Sequence, residues 1–242
     1  MRFPTTEWSI VLAAKGPRTP DTRTALERLC STYWYPVYAY IRSRTANAAD
    51  AEDLTQGLFV SLLDHSSLDS VRPGMGQFRA FLLASAKHHM ATEWSRGHAH
   101  KRGGWAGPVS LSLDFASGDR RYRLEPSTNL DPEAEYERRW AAAMMEAAEE
   151  KLRQEFAAAG KAVHFEAFHQ YLVDAGSPSR MSYAELADAL DMTEGAVKIA
   201  IHRARRRFGH FLREQIAQTV SRTESVAREQ AIETELRHLL SL

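Results

Sequence analysis

The sequence predicts an all-α protein, and three features support this fold class. Alternation of apolar and polar residues at the two-residue period of a β-strand is nearly absent. Apolar residues recur at helical spacing in several segments, and many of these segments begin at a capping residue and stop at glycine or proline. We expect two small helical domains joined by a flexible linker, with a helix-turn-helix in the second domain and a helical extension at the C-terminus.

Three helices are predicted in the N-terminal domain, which we place over residues 1–102. The first spans residues 24–44, where apolar side chains recur every three or four positions. The second spans residues 47–64 and begins at the capping residue Asn47. The third spans residues 78–96 and changes from an apolar helix to a basic one in its later turns.

Helical periodicity stops between residues 97 and 130, where glycines, prolines and serines interrupt the pattern. This stretch is too long for an ordinary loop in a compact domain. We therefore predict a linker over residues 103–130, a C-terminal domain over 131–215 and a helical extension over 216–242. Packing of the extension on the C-terminal domain is favoured, and a partner-binding tail is the alternative.

Two helices precede the helix-turn-helix of the C-terminal domain. The first begins at residues 131–133, where an aspartate cap is followed by proline and glutamate, and it ends near Gly160. The second covers residues 162–175. Residues 182–213 then form two short helices joined by a tight turn.

The signals for this helix-turn-helix are local. Ser182 and Glu185 form a capping box for its first helix, residues 191–193 form the turn, and Thr193 caps its second helix. The buried stripe of the second helix consists of Val197, Ile201, Ala204, Phe208 and Phe211. A motif of this kind places its second helix in the major groove of DNA.

The opposite face of this second helix is rich in side chains that can reach phosphates and base edges. They are Glu194, Lys198, His202, Arg203, Arg206 and Arg207. An ordinary amphipathic hairpin with a solvated basic face has the same pattern, so the hairpin alone leaves the function open.

The formal net charge is zero, but the charges are unevenly distributed. Residues 46–71 are acidic and contain neither lysine nor arginine, whereas residues 87–102 and 198–213 are basic. This distribution suggests two kinds of partner, one of them anionic.

The single cysteine, Cys30, excludes a disulfide framework and a cysteine-based zinc site. It favours a reducing compartment, the cytoplasm. The first residues lack the basic start and long apolar core of a signal peptide, and no run is long enough to span a membrane. We expect a cytoplasmic protein with no membrane partner.

Histidines cluster near the end of the third predicted helix and raise the alternative of a metal-dependent enzyme. The residues of that alternative site are His88, His89, Glu93, His98 and His100. Neither the ligand spacing of a zincin nor a phosphate-binding loop accompanies them. We therefore expect no metal, no cofactor and no catalytic residue.

Two sets of motifs resemble a known family. Residues 50–56, with the sequence DAEDLTQ, are followed by Phe59 and resemble a signature of sigma-70-type factors of bacterial RNA polymerase. Residues 183–187 (YAELA), 194–198 (EGAVK) and 202–205 (HRAR) resemble the DNA-reading hairpin of the extracytoplasmic-function (ECF) branch of that family. Both sets occur in the order and at the approximate separation that the family shows.

The resemblance implies that the second helix docks on the clamp of the largest catalytic subunit of core RNA polymerase. The matching positions are Glu52, Asp53, Leu54 and Gln56. We expect Asp53, Gln56 and Val60 to share the outward face of this helix, with Leu54, Leu58 and Leu62 toward the core. Gly57 stands where the family usually has an acidic residue. Alone, this helix also fits a solvated acidic surface.

The resemblance further implies that residues 66–77 and the third helix open and read the minus-ten element of a promoter, holding an unstacked base. The candidates are Ser70, Arg72, Gln77, Arg79, Lys87, His88, Trp94 and Arg96. Phe78 and Phe81 are expected in the core. The residues matched to reading of the minus-thirty-five element are Thr193, Glu194, Gly195, Lys198, His202, Arg203 and Arg206.

These expectations describe an ECF-type sigma factor whose partners are core RNA polymerase and promoter DNA. The alternative is a helix-turn-helix regulator that binds DNA without polymerase, which would have no need of residues 50–59. An anti-sigma factor as an additional partner is left open.

Overall fold

The computed structural model describes residues 20–63, 77–97, 113–125, 131–173, 181–220 and 225–242. All regular secondary structure in these ranges is α-helical, which confirms the predicted fold class. In chain order the helices are α1 (Pro20–Arg42), α2 (Ala48–Leu63), α3 (Phe78–Gly97), α4 (Phe115–Leu124), α5 (Pro132–Ala158), α6 (Ala162–Val173), α7 (Tyr183–Ala189), α8 (Glu194–Thr219) and α9 (Ser225–Leu239).

The chain groups into two compact units. One comprises Met1–Ala143 together with Ile216–Leu242, and the other comprises Met144–Gln215. The divisions fall within α5 and within α8, so each of these helices contributes to both units. The sequence placed the start of the C-terminal domain before α5, at residue 131.

The core of the first unit is built from the apolar faces of α1, α2 and α3. Tyr33 and Val37 on α1 are fully buried, as are Leu58 on α2 and Phe78 on α3. The rings of Tyr33 and Phe78 meet edge to face, with centroids 5.4 Å apart. Burying a large apolar side chain stabilises the fold by about 1.5–3 kcal/mol. This shared core therefore holds α2 and α3 against α1.

Helix α4 is a correction to the sequence prediction, because it lies inside the segment 103–130 that was predicted as a linker. The backbone N–H of Ser117 donates to the side chain of Asp114 at 3.0 Å and caps the helix. Phe115 is buried, and its ring centroid lies 5.3 Å from that of Trp34 on α1. The helix has only 10 residues, including a glycine, so its apolar side chains are too few to show helical periodicity in the sequence.

A buried carboxylate ties α4 to α1. Asp119 accepts hydrogen bonds from the Tyr38 hydroxyl at 3.1 Å and from the Arg42 guanidinium at 3.2 Å. Burial alone would raise the pKa of Asp119, but hydrogen bonds from Arg123, Arg42 and Tyr38 outweigh it and lower the pKa below its usual value. The carboxylate therefore remains ionised and paired, which compensates the cost of burying it.

Gly118→Ala is expected to destabilise the protein, because α4 approaches Trp34 more closely here than a side chain allows. A Cβ at this position would lie 2.5 Å from Cη2 and 2.8 Å from Cζ3 of Trp34. We expect this overpacking to lower the free energy of unfolding by about 1–3 kcal/mol. Urea unfolding followed by circular dichroism measures the change.

Gly209→Ala on α8 is the matched control, since a Cβ there would meet no atom within 4 Å. This variant should raise the free energy of unfolding by up to about 1 kcal/mol, because alanine favours a helix more than glycine does. A stabilising effect at Gly118 equal to that at Gly209 would contradict the packing of α4 against Trp34.

Helix α9 is a second correction. The extension was expected to pack on the predicted C-terminal domain, residues 131–215, but Ile216–Leu242 belongs to the first unit, which contains only residues 131–143 of that domain. Ile232 and Leu239 of α9 are buried, and between them Glu235 forms an ion pair with Arg79 at the start of α3. These two partners are 156 residues apart in the chain, so no local pattern predicts their contact.

The core of the second unit holds the helix-turn-helix against α6. It consists of Phe168, Tyr171, Leu186, Ala187, Val197, Ile201 and Ala204. The predicted buried stripe of α8 is confirmed at Val197, Ile201, Ala204 and Phe211, whereas Phe208 is only half-buried. This packing turns the opposite face of α8 toward solvent.

Candidate nucleic-acid interface

The hairpin formed by α7 and α8 has the capping geometry that its sequence predicts. The backbone N–H of Glu185 donates to Ser182 Oγ at 3.2 Å, and the backbone N–H of Ser182 donates to Glu185 Oε2 at 2.7 Å. At the start of α8, the N–H of Ala196 donates to Thr193 Oγ1 at 3.2 Å. The capping box and the second cap are therefore confirmed.

The turn between α7 and α8 is tight. Asp191 has a φ of 51°, in the left-handed region that aspartate adopts more readily than most residues. The N–H of Met192 donates to the carbonyl of Ala187 at 2.9 Å. This bond satisfies a carbonyl at the end of α7 and sets where α8 begins.

The residues matched to the minus-thirty-five element all lie at the protein surface. Exposed side chains or backbone are found at Thr193, Glu194, Gly195, Lys198, His202, Arg203 and Arg206. The sequence therefore identified a continuous exposed face on the first four turns of α8.

The four arginines of α8 between residues 203 and 207 divide into two groups. Nε of Arg205 donates to a backbone carbonyl of α6 at 2.9 Å, and Nη2 of Arg207 lies 2.6 Å from a carboxylate oxygen of Glu155 on α5. Arg203 and Arg206 are exposed, and within the described ranges neither has an ion-pair partner. The structure thus separates two arginines that have partners within the protein from two that remain available to an anionic ligand.

Lys198 is held in place by neighbours on the hairpin. Its ammonium lies 2.5 Å from a carboxylate oxygen of Glu194 and 5.3 Å from the ring centroid of Tyr183. The hydrogen bond to Glu194 raises the pKa of Lys198, so the side chain stays cationic. Because an exposed pair of this kind is weak, a phosphate can replace Glu194 as its partner.

Ile199 belongs to the same face, although the sequence analysis did not select it. Its side chain is 55% exposed. At about 100° per residue it lies between Arg206 and Arg203 around the helix. A branched apolar side chain in that position suits contact with the methyl group of thymine. The position of Ile199 around the helix follows from the sequence alone and could have identified this residue as part of the exposed face.

The predicted polymerase-binding residues lie at the surface of α2. Asp53 is exposed, and Glu52, Leu54 and Gln56 are half-buried. Val60 was expected on the same outward face, but it is only 6% exposed. This expectation was wrong because α2 is enclosed on more than one side near its C-terminal end, where three consecutive residues ending at Val60 are buried.

Gly57 lies at a point where α2 and α3 approach each other closely. A Cβ at this position would lie 2.9 Å from Nε2 of His89 on α3. The acidic side chain that the resembled family usually carries here would therefore crowd the His89 ring. Glycine at position 57 therefore allows the His89 ring to lie against α2.

The described minus-ten candidates on α3 differ in their surroundings. His88 is exposed, and Trp94 is 57% exposed. Lys87 is also at the surface, where its ammonium pairs with Glu133 of α5. The candidates outside the described residues are Ser70, Arg72 and the side chain of Arg96.

Arg79 is buried, which corrects the expectation that it faces minus-ten DNA. It is 5% exposed, its Nε lies 3.2 Å from Oε2 of Glu235 on α9, and its Nη1 pairs with Glu137 on α5. Nη2 donates to Oε1 of Gln77, the residue before α3, at 2.6 Å. The guanidinium is thus committed to acceptors within the protein. Glu137 and Glu235 are neighbours of Arg79 that sequence reasoning missed, because they are distant in the chain.

Burial shifts the ionisation of both members of this pair. Burial lowers the pKa of Arg79, although the charge of Glu235 acts in the opposite direction. Burial raises the pKa of Glu235, although the charges of Arg79 and His238 act in the opposite direction. Oε1 of Glu235 is buried and has no hydrogen bond of good geometry among the described residues, although the Gln77 side chain lies close enough to lower the pKa of Glu235. A buried pair with an unsatisfied oxygen is a poor source of stability.

The described residues contain no group of three or more histidine, cysteine, aspartate or glutamate side chains arranged to hold a metal ion. His98 and His100 of the alternative metal site lie outside those residues. No helix in the described part of the chain is both long and apolar enough to cross a membrane.

Comparison with protein families identifies two segments of the chain. The family model for sigma-70 region 2 matches residues 31–99, and that for sigma-70 region 4 matches residues 179–208. The first match includes α2 and α3, and the second includes α7 and the first part of α8. No curated protein and no solved structure matches the chain significantly. The two family matches support a sigma factor of the sigma-70 family that acts in polymerase-directed promoter recognition.

Proposed function

We propose that this protein is an ECF-type sigma factor, a subunit that binds core RNA polymerase in the cytoplasm and directs it to promoters. One observation carries the proposal: a single chain combines a sigma-70 region 2 match with a region 4 match whose hairpin presents two arginines that have no ion-pair partner among the described residues. The short separation of the two matched segments, residues 31–99 and 179–208, favours the ECF branch. The protein would act in polymerase-dependent initiation without catalysing a reaction by itself.

The exposed face of α8 would read the minus-thirty-five element in the major groove. Arg203 and Arg206 are the strongest candidates for phosphate or guanine contacts, since neither has an ion-pair partner in the described ranges. Lys198 would exchange its pairing with Glu194 for a phosphate. These positions support a direct DNA contact by the hairpin.

The surface of α2 would dock on the clamp of the largest catalytic subunit of polymerase. Asp53 supplies an exposed charge, and Glu52, Leu54 and Gln56 surround it with partly accessible polar and apolar area. An acidic surface of this composition is complementary to a basic partner. This surface distinguishes a sigma factor from a DNA-binding regulator that does not use polymerase.

Helix α3 and the residue before it would act on the minus-ten element. Trp94 offers an exposed aromatic face to an unstacked base. Lys87 and His88 lie on the surface of the same helix and suit phosphate contacts. Opening of the duplex would therefore depend on the first unit, and binding of the upstream element on the second.

Binding to core RNA polymerase tests the proposal. Purified core enzyme should retain the full-length protein in a pull-down assay and should co-elute with it in size-exclusion chromatography. If core enzyme does not bind while promoter DNA does, the protein is instead a regulator that acts without polymerase.

A further inference from the structure

The contact between α9 and α3 lies next to the predicted minus-ten surface. Helix α9 lies outside both matched family segments, since these end at residues 99 and 208. Glu235 of α9 reaches Arg79 at the first turn of α3. The residue that precedes this turn, Gln77, is a candidate for contacting the opened strand.

Arg79 connects Glu235 to Gln77 through a single rigid group. The planar guanidinium uses Nε for Glu235 at 3.2 Å and Nη2 for Gln77 at 2.6 Å. Nη1 pairs with Glu137 on α5, and the Tyr136 hydroxyl donates to the Arg79 carbonyl at 3.0 Å. Because the donors of a guanidinium have fixed relative directions, acceptors on α5 and α9 determine where Nη2 points.

The network is costly to maintain as a stability device alone. Arg79 and Glu235 are 5% and 3% exposed, and Oε1 of Glu235 has no hydrogen bond of good geometry among the described residues. Apolar residues of similar size often stabilise such a site at least as well. A group of charges that fixes the side chain of Gln77 has a purpose beyond stability if Gln77 contacts DNA.

We propose that Glu235 is a positioning residue for promoter opening: through Arg79 it holds the Gln77 side chain and the first turn of α3 in place beside the predicted minus-ten surface. The C-terminal extension thereby completes the DNA-opening unit, and it does not act as a tethered tail. This inference rests on the proposed sigma-factor function and assigns the extension a role within it.

Glu235→Gln tests the role, because it preserves the shape of the side chain and removes its charge. Full-length variants are assembled with core polymerase, and opening is followed by the fluorescence of 2-aminopurine placed in the minus-ten element. We expect open-complex formation to fall about tenfold, as for loss of a hydrogen bond to a charged group. Binding to core enzyme and to a minus-thirty-five duplex should stay unchanged.

The matched control is Glu233→Gln, which makes the same change on an exposed part of the same helix, where the side chain is 51% exposed. It should open the promoter as the unmodified protein does. Gln77→Ala supplies the second arm of a double-mutant cycle. If Glu235 acts through Gln77, Glu235→Gln should have no further effect in the Gln77→Ala background.

The outcomes separate this inference from the proposed function. Failure of the unmodified holoenzyme to open any promoter would count against the sigma-factor proposal itself. With an active holoenzyme, normal or increased opening by Glu235→Gln, or additive effects in the cycle, would overturn the positioning role. If Glu235→Gln unfolds at the assay temperature, Arg79→Lys replaces it in the same assay and the same cycle. This change keeps the charge but removes the fixed fork, so equal opening by Arg79→Lys and the unmodified protein would also overturn the role.

Discussion

The double variant R203A/R206A is expected to weaken binding of the holoenzyme to promoter DNA by about 10- to 100-fold. Both guanidiniums are exposed on α8 and have no ion-pair partner in the described ranges. If both touch phosphate, the slope of log affinity against log salt should fall in magnitude by about 1.8, because each phosphate contact contributes about 0.9. Fluorescence anisotropy over a series of salt concentrations measures both quantities.

The control for this variant is R153A/R207A, which removes the same number of positive charges. The two guanidinium groups that this variant removes pair with Glu150 and Glu155 in the unmodified protein, so we do not expect them to contact DNA. Its salt slope should match that of the unmodified protein. Equal losses in the two double variants would indicate a general charge effect and contradict a reading face centred on Arg203 and Arg206.

Asp53→Ala is expected to lower the affinity for core RNA polymerase at least about tenfold, which corresponds to about 1.4 kcal/mol. Asp53 is exposed on α2, and a charge that becomes buried in an interface against a basic partner is costly to remove. Biolayer interferometry with immobilised core enzyme measures the affinity. Circular dichroism should show the same helicity as in the unmodified protein.

Glu166→Ala is the control for Asp53→Ala, since it removes an exposed carboxylate from α6, outside the predicted docking surface. It should bind core enzyme normally. Unchanged core binding by Asp53→Ala would remove the docking assignment for α2, and a loss of helicity would show that Asp53 supports the fold instead.

Local chemistry made much of the fold predictable. The capping box at Ser182 and the cap at Thr193 involve residues three positions apart, so their hydrogen bonds follow from the sequence alone. The buried stripe of α8 and its exposed opposite face follow from helical periodicity in the same way. The face that we propose for promoter contact was therefore recognisable before the structure was known.

Contacts between distant residues were not predictable. Helix α4 was missed because ten residues that include Gly118 carry little periodicity, and its stabilising contacts with Trp34 and Tyr38 lie more than seventy positions away. The burial of Arg79 depends on Glu235, 156 residues along the chain. An arginine at the start of a helix predicted to bind DNA has the same local sequence whether it faces DNA or a carboxylate.

Run-off transcription tests the central claim most directly. Core RNA polymerase is supplied with the full-length protein and with DNA fragments that carry candidate promoters from the source genome, and discrete transcripts are sought. The proposed function predicts transcripts that start at defined positions only when the protein is present. If the protein binds these fragments but core enzyme yields the same transcripts with and without it, the protein is not a sigma factor.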